Sequence, residues 1–228
     1  MDQRVDQPAA SRRQPLKLHI VDANDGIIAT AGLLEGFAGA GAGESVLVLA
    51  ATAATIAGSL SVGGAKWAEE AADREAQLSL ASEESAQLTA NPADELAELV
   101  RYWEQKGLSP QLAAEVASQL SARDALAAQL EYEHGIRELP SAFAPVRDGV
   151  AAALAFLVGA VIPLLITMFV PGSLEAPAIL VAVIVSLTIT SFIASRDETL
   201  SFGRVLVRSL AVGVGTMLVG YGAGVLLF

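Results

Sequence analysis

The sequence predicts an all-α polytopic membrane protein with five transmembrane helices and an inserted cytoplasmic three-helix acidic domain. Three observations carry this reading. Of 228 residues, 53% are hydrophobic, 20 are glycine and 17% are charged, a composition too apolar and too rich in small residues for an ordinary soluble domain. The apolar runs fall into two blocks, residues 18–66 and 147–228, each divided by turn signals at bilayer-spanning lengths. Between the blocks, Trp67 to Val146 hold fifteen Asp/Glu against five Lys/Arg, which accounts for ten of the chain's eleven net negative charges.

The same composition excludes several classes. Without cysteine there is no disulfide framework, thiolate metal site or cysteine nucleophile. A hydrolase needs a nucleophile beside a base, or a histidine-rich metal site; two histidines and no such constellation argue against an enzyme or a prosthetic group. The glycine pairs do not form a phosphate loop, and a net charge of -11 opposes nucleic-acid binding.

The amino-terminal tail, residues 1–17, is polar, with Arg4, Arg12, Arg13 and Lys17, and lacks the apolar run of a cleavable signal peptide. The first span covers residues 18–40. His19, Asp22, Asn24 and Asp25 enter it and Glu35 lies deep inside. Asp22 reads equally as an interfacial cap. Asp25 and Glu35 are about 15 Å apart along a helix and roughly 80° apart around it, and ionisable groups at such depth face a pathway or a partner. Gly32, Gly36 and Gly39 allow close helix contact. After the short 41–44 loop, the second span runs from Ser45 to about Ala65, with Gly58, Ser61 and Gly64, and ends on Lys66 and Trp67, an interface anchor. No break signal follows before Asn91-Pro92, so one helix continues to about Ala90, carrying Glu69, Glu70, Asp73, Glu75, Glu83 and Glu84.

Asn91 as N-cap and Pro92 open a second helix of the acidic domain, stopped at Gly107; Ser109-Pro110 opens a third, to about His134, stopped at Gly135. Leu96, Leu99, Val100 and Trp103 recur at helical spacing, as do Leu112, Val116, Leu120, Leu126 and Leu130, so each helix is expected to bury one such face. Glu95 and Glu98 share a face; Glu131 and Glu133 lie near the end of the third helix. Glu131 to His134 gives one Glu-x-x-His, but di-iron bundles need two copies, so His134 reads as a C-terminal cap. A linker over residues 139–145 leads to a third span, 148–170, with Pro163 inside it. The fourth span, 176–194, offers Ser186, Thr188, Thr190 and Ser191 for helix contacts. Arg196, Arg204 and Arg208 precede or open the fifth, which runs through Gly213, Gly215, Gly220 and Gly224. Basic residues mark the tail, the flanks of the acidic domain and the loop between spans four and five, which puts the amino terminus in the cytoplasm and the carboxyl terminus across the membrane. Composition and the absence of a transit peptide lean towards a bacterial inner membrane.

Carboxylates at the mouth of a membrane bundle gather hard or borderline cations. A carboxylate holds either a divalent cation or a proton, so competition at Asp25 or Glu35 would give antiport in its simplest form. Glutamates from three helices can converge on one site, with metal relieving their repulsion and compacting the domain.

The series Asp22-Ala23-Asn24-Asp25-Gly26-Ile27-Ile28-Ala29-Thr30-Ala31-Gly32-Leu33, Ala57-Gly58-Ser59-Leu60-Ser61, Asn91-Pro92-Ala93-Asp94-Glu95-Leu96, Gly107-Leu108-Ser109-Pro110, Asp124-Ala125-Leu126, Gly135-Ile136 and Ala152-Ala153-Leu154-Ala155-Phe156 resembles the vacuolar iron transporter (VIT) family, in order and over nearly the whole chain from His19. The resemblance implies a homodimer that moves Fe2+, and often Mn2+, out of the cytoplasm in exchange for protons. It places the membrane aspartate on Asp25 and the domain's metal glutamates on Glu84, Glu95, Glu98 and Glu133, with Gln87 where a further glutamate stands in the family. This chain departs from the family at Ala54, for a glutamate, at Val62, for a methionine, and at Ala65-Lys66-Trp67, for Gly-Glu-Tyr; Glu35 is an added carboxylate that can replace the lost charge. The alternative is a non-transporting membrane protein whose acidic domain senses metal or docks a basic partner, a reading that Ala54 and Val62 favour and Asp25 and Glu35 oppose.

Overall fold

In the computed structural model, residues 10–195 and 201–227 are described, with side chains from His19 onward; Arg4, Arg196 and the side chains of Arg12, Arg13 and Lys17 lie outside that set. Seven α-helices and no strand form among the described residues: α1 (Ala10–Gly39), α2 (Glu44–Ala90), α3 (Pro92–Gln105), α4 (Pro110–His134), α5 (Ala144–Phe169), α6 (Gly172–Ala194) and α7 (Phe202–Leu227). Four of them, α2, α5, α6 and α7, are long and apolar enough to cross a membrane. Asp22, Asp25 and Glu35 set α1 apart from these four. Helix α1 begins at Ala10, so part of the expected tail is helical, and α6 begins four residues ahead of its expected start, taking Pro177 inside it.

The chain divides into two compact units, one of the described residues up to Trp67 together with those from Arg147, the other Ala68–Val146. The first is built on a core of Ile27, Ala31 and Leu34 from α1, Leu47 and Ala51 from α2, Ile179, Val183 and Leu187 from α6 and Met217 from α7. Small residues bring the backbones together. A Cβ on Gly220 or Gly224 of α7 would strike the carbonyl of Gly32 or Gly36 of α1, and one on Gly159 of α5 would strike that of Ala23. Within α5, the Thr167 hydroxyl donates to the carbonyl of Pro163 at 3.1 Å, and the helix continues through the proline.

The second unit combines the latter part of α2 with α3 and α4. Turn chemistry fixes its ends. At Gly107 (φ 99°) the Gly107 N–H donates to Glu104 and the Leu108 N–H to Trp103, a Schellman closure of α3 that only glycine accepts without strain. Gly135 (φ 66°) ends α4 in the same left-handed region. Ser109 caps α4 by accepting from the Leu112 N–H at 3.4 Å, whereas Asn91, at the N-cap of α3, makes no side-chain bond because its backbone is not extended there (ψ 55°). Two expectations need correction. Helix α4 is not continuous: Asp124 is extended (φ -164°, ψ 94°) and its Oδ1 accepts from the Ala127 N–H at 3.0 Å, so it caps a new helical segment after a break. The buried residues of α4 are Ala113, Ala117, Gln129 and Leu130; Leu130 is buried as expected, while Leu112 and Leu120 are exposed and the smaller Ala113 and Ala117 are buried instead.

Candidate metal-capture cluster

Helices α2, α3 and α4 each bring carboxylates to one place. Of those on α2, Glu84 is buried, 1% exposed, while Glu69, Asp73, Glu75 and Glu83 face outward as a solvated surface. Glu95, in the first turn of α3, is 7% exposed, and Glu98 follows one turn later on the same face. Glu133 and His134 come from the last turn of α4. Carboxylate oxygens of Glu95, Glu98 and Glu133 lie within 4.8 Å of one another, as do ligand atoms of Glu84, Glu133 and His134; the two groups share Glu133. The structure thus brings Glu84, Glu95, Glu98 and Glu133 together, and adds His134, whose Nε2 is 3.8 Å from Glu133 Oε2.

Gln129 orders this cluster. Its buried amide nitrogen donates to the Glu95 carbonyl at 2.8 Å and to Glu95 Oε2 at 2.9 Å, which fixes the carboxylate of α3 against α4. Gln129 Oε1 and Glu84 Oε1 are buried acceptors with no donor among the described residues. Such groups ordinarily find a partner. Burial, with Glu133 and Glu95 nearby, raises Glu84 above the usual carboxylate range; burial, with Glu98 and Glu133 nearby, does the same to Glu95. A divalent cation would relieve both the burial and the repulsion, using oxygen ligands that suit it.

Tyr102 packs at a tilt against Tyr132, with ring centroids 4.7 Å apart, and edge-on to Trp103 at 5.1 Å, joining the end of α3 to the end of α4. Arg137 holds Glu131 at 3.0 Å, so Glu131 is engaged in the chain's return rather than in the cluster.

The other expected site residues lie on α1 in the first unit. Asp25 is exposed on a stripe with Val21 and Ala29 that the described residues leave open. Glu35, further along, lines a cavity of about 440 Å³ with Pro177, Leu180, Val214, Met217 and Tyr221. Asp25 and Glu35 are therefore on different faces. Near the Asp25 end, His19, Asp22, Lys66, Arg147 and Asp148 stand within electrostatic reach of one another, with the Arg147 guanidinium donating to Asp148 at 2.8 and 3.1 Å.

Residue counting along the sequence missed Gln129, since only its tertiary neighbour reveals it, and assigned His134 to the helix end alone. The spacing signal for His134 was present as its adjacency to Glu133.

The sequence pattern of the VIT family matches residues 16–225. The chain is 32% identical over 156 residues to the vacuolar iron transporter of Acanthamoeba castellanii, covering 68% of this chain and 56% of that protein. It is 26% identical over 159 residues to vacuolar iron transporter 1 of Arabidopsis thaliana, covering 69% and 63% of the two chains. With vacuolar iron transporter 2 of rice, Oryza sativa subsp. japonica, the identity is 28% over 161 residues, covering 70% and 65%. The matched region thus spans 56% to 65% of the length of these relatives.

Proposed function

The chain belongs to the VIT family of membrane proteins, and from that premise we propose that it carries divalent metal ions, Fe2+ or Mn2+, out of the cytoplasm. The observation that carries the proposal is the convergence of Glu84, Glu95, Glu98 and Glu133 from three helices, with a buried Glu84 oxygen that has no donor. In this reading Ala68–Val146 is a cytoplasmic capture domain: the four glutamates take up the ion, and Gln129 keeps the Glu95 carboxylate in place.

Helix α1 is the fifth span. Its buried Ile27, Ala31 and Leu34 sit in one core with residues of α2, α6 and α7, and its glycines pack on α7, which supports a place among the spanning helices despite its carboxylates. The charge bias of the loops puts the amino terminus and the acidic domain in the cytoplasm and the carboxyl terminus opposite, in a bacterial inner membrane. A carboxylate is costly against lipid. The open stripe of Val21, Asp25 and Ala29 is accordingly the face on which a second copy of the chain completes the pathway, as a homodimer. Asp25 then holds a metal ion or a proton in turn, which couples metal export to proton entry, and Glu35 offers a further carboxylate along α1 in place of the one lost at Ala54.

The test is metal uptake into proteoliposomes with a pH-sensitive dye inside, Fe2+ and Mn2+ in turn, and Asp25→Ala as control. Saturable uptake with proton counterflow, lost in the variant, is the expected result. Metal binding without flux would overturn transport and leave a membrane-anchored sensor or docking protein.

A further inference from the structure

The acidic cluster contains one group that carboxylate capture does not require. His134 is one of two histidines in the chain, and its ring nitrogen joins the Glu84 and Glu133 carboxylates in a set whose ligand atoms all lie within 4.8 Å of one another. Its Nε2 is 3.8 Å from Glu133 Oε2, and its side chain is 27% exposed. Gly135, in the left-handed conformation, already ends α4 through its own N–H to Glu131, so the helix end is closed without the imidazole. Glu84 supplies an independent observation: it is 1% exposed, and its buried Oε1 has no hydrogen-bond donor among the described residues. On the other side of Glu133, Glu95 and Glu98 offer oxygen alone.

We infer that His134 is a nitrogen ligand to the ion held by Glu84 and Glu133, making that corner of the cluster a mixed oxygen–nitrogen site that selects transition-metal ions. The inference rests on the capture reading above and gives it a selectivity. Ca2+ and Mg2+ take oxygen ligands, whereas imidazole suits Fe2+, Co2+ and Zn2+, whose affinities for a nitrogen-containing site rise along the transition series. The all-oxygen corner cannot make that distinction. Glu133, common to both corners, is placed to bridge them, so the transition-metal site and the less selective site form one continuous set of ligands.

The experiment uses the full chain, purified in detergent without a histidine tag, with Mn2+ added to saturation and read by pulsed EPR. Because the chain has two histidines, a nitrogen coupling on bound Mn2+ that persists in His19→Ala and disappears in His134→Ala assigns the ligand. Titration of Co2+ against Mg2+ gives the second readout: His134→Ala is expected to lose about tenfold in Co2+ affinity with Mg2+ affinity unchanged. The wild-type spectrum alone tests the assignment, whatever a variant does to folding. Bound Mn2+ with no nitrogen coupling, in a protein where Glu84→Gln still weakens binding, would overturn the role of His134 and leave carboxylate capture standing. No Mn2+ or Co2+ binding by the wild-type protein would overturn the capture reading and this inference with it.

Discussion

The two units handle buried charge in opposite ways. In Ala68–Val146, carboxylates from three helices gather in two adjoining groups that share Glu133, with Glu84 and Glu95 buried and Glu95 held by the Gln129 amide. In the first unit the carboxylates of α1 are separated: Asp25 is on an uncovered stripe and Glu35 is in a cavity on another face. Under the proposed function the difference would match two tasks: a capture site holds an ion long enough to withdraw it from water, and a pathway residue at Asp25 releases it.

The comparison breaks most sharply at Asp25. Asp25→Ala is expected to reduce flux by on the order of 100-fold while leaving equilibrium metal binding by the acidic unit unchanged, measured on the same preparation by uptake and calorimetry. Parallel loss of both would mean that the two units do not divide the work. Next, Glu84→Gln should weaken metal binding by roughly 10–100-fold, and because it removes a buried charge it should raise the melting temperature of the metal-free protein by about 2–5 °C. A variant that loses binding and stability together would show that Glu84 is packing and not a ligand.

The first unit is tested through its glycines. Gly220→Leu puts a side chain where the Gly32 carbonyl of α1 already stands and should cost about 1–3 kcal/mol of thermal stability in detergent, with metal affinity of the acidic unit preserved. Gln129→Leu, a smaller perturbation, should lower metal affinity by roughly tenfold by freeing the Glu95 carboxylate. The smallest expected effect is that of pH. Glu84 and Glu95 are held above their ordinary value of 4.5 in the folded protein, so the folded state keeps protons that the unfolded chain releases. The stability they contribute is full below 4.5 and is lost as pH rises through the raised values. Melting of the metal-free protein should therefore fall as pH is raised from there, and saturating Mn2+ should flatten the trend.

How much of this could be read from the sequence depends on whether the deciding contact is local. Helix α2 was legible across both units because nothing between Ser45 and Asn91 can stop a helix, and Gly107 and Gly135 announced their turns through the conformation only glycine takes easily. The four glutamates were named through a family likeness; periodicity alone placed only Glu95 and Glu98 on one face. The break at Asp124 was hidden in an alanine-rich run with no glycine or proline, where a lone aspartate reads as an exposed helix position. The buried face of α4 was legible at Leu130 and misread at Leu112 and Leu120, beside which the buried Ala113 and Ala117 carry little hydrophobic signal. Gln129 acts through residues 34 positions away, and no spacing rule reaches that far.

The interruption of α4 at Asp124 has a consequence for local opening. It leaves residues 125–134 as a separate helical segment of about ten residues, shorter than the roughly 12–15 at which an isolated helix becomes even marginally stable in water. That segment carries Gln129, Glu133 and His134, so its order is borrowed from the groups it holds. Its backbone amides should exchange with solvent through frequent opening of that one segment when the cluster is empty, and slow selectively once an ion ties it to α2 and α3.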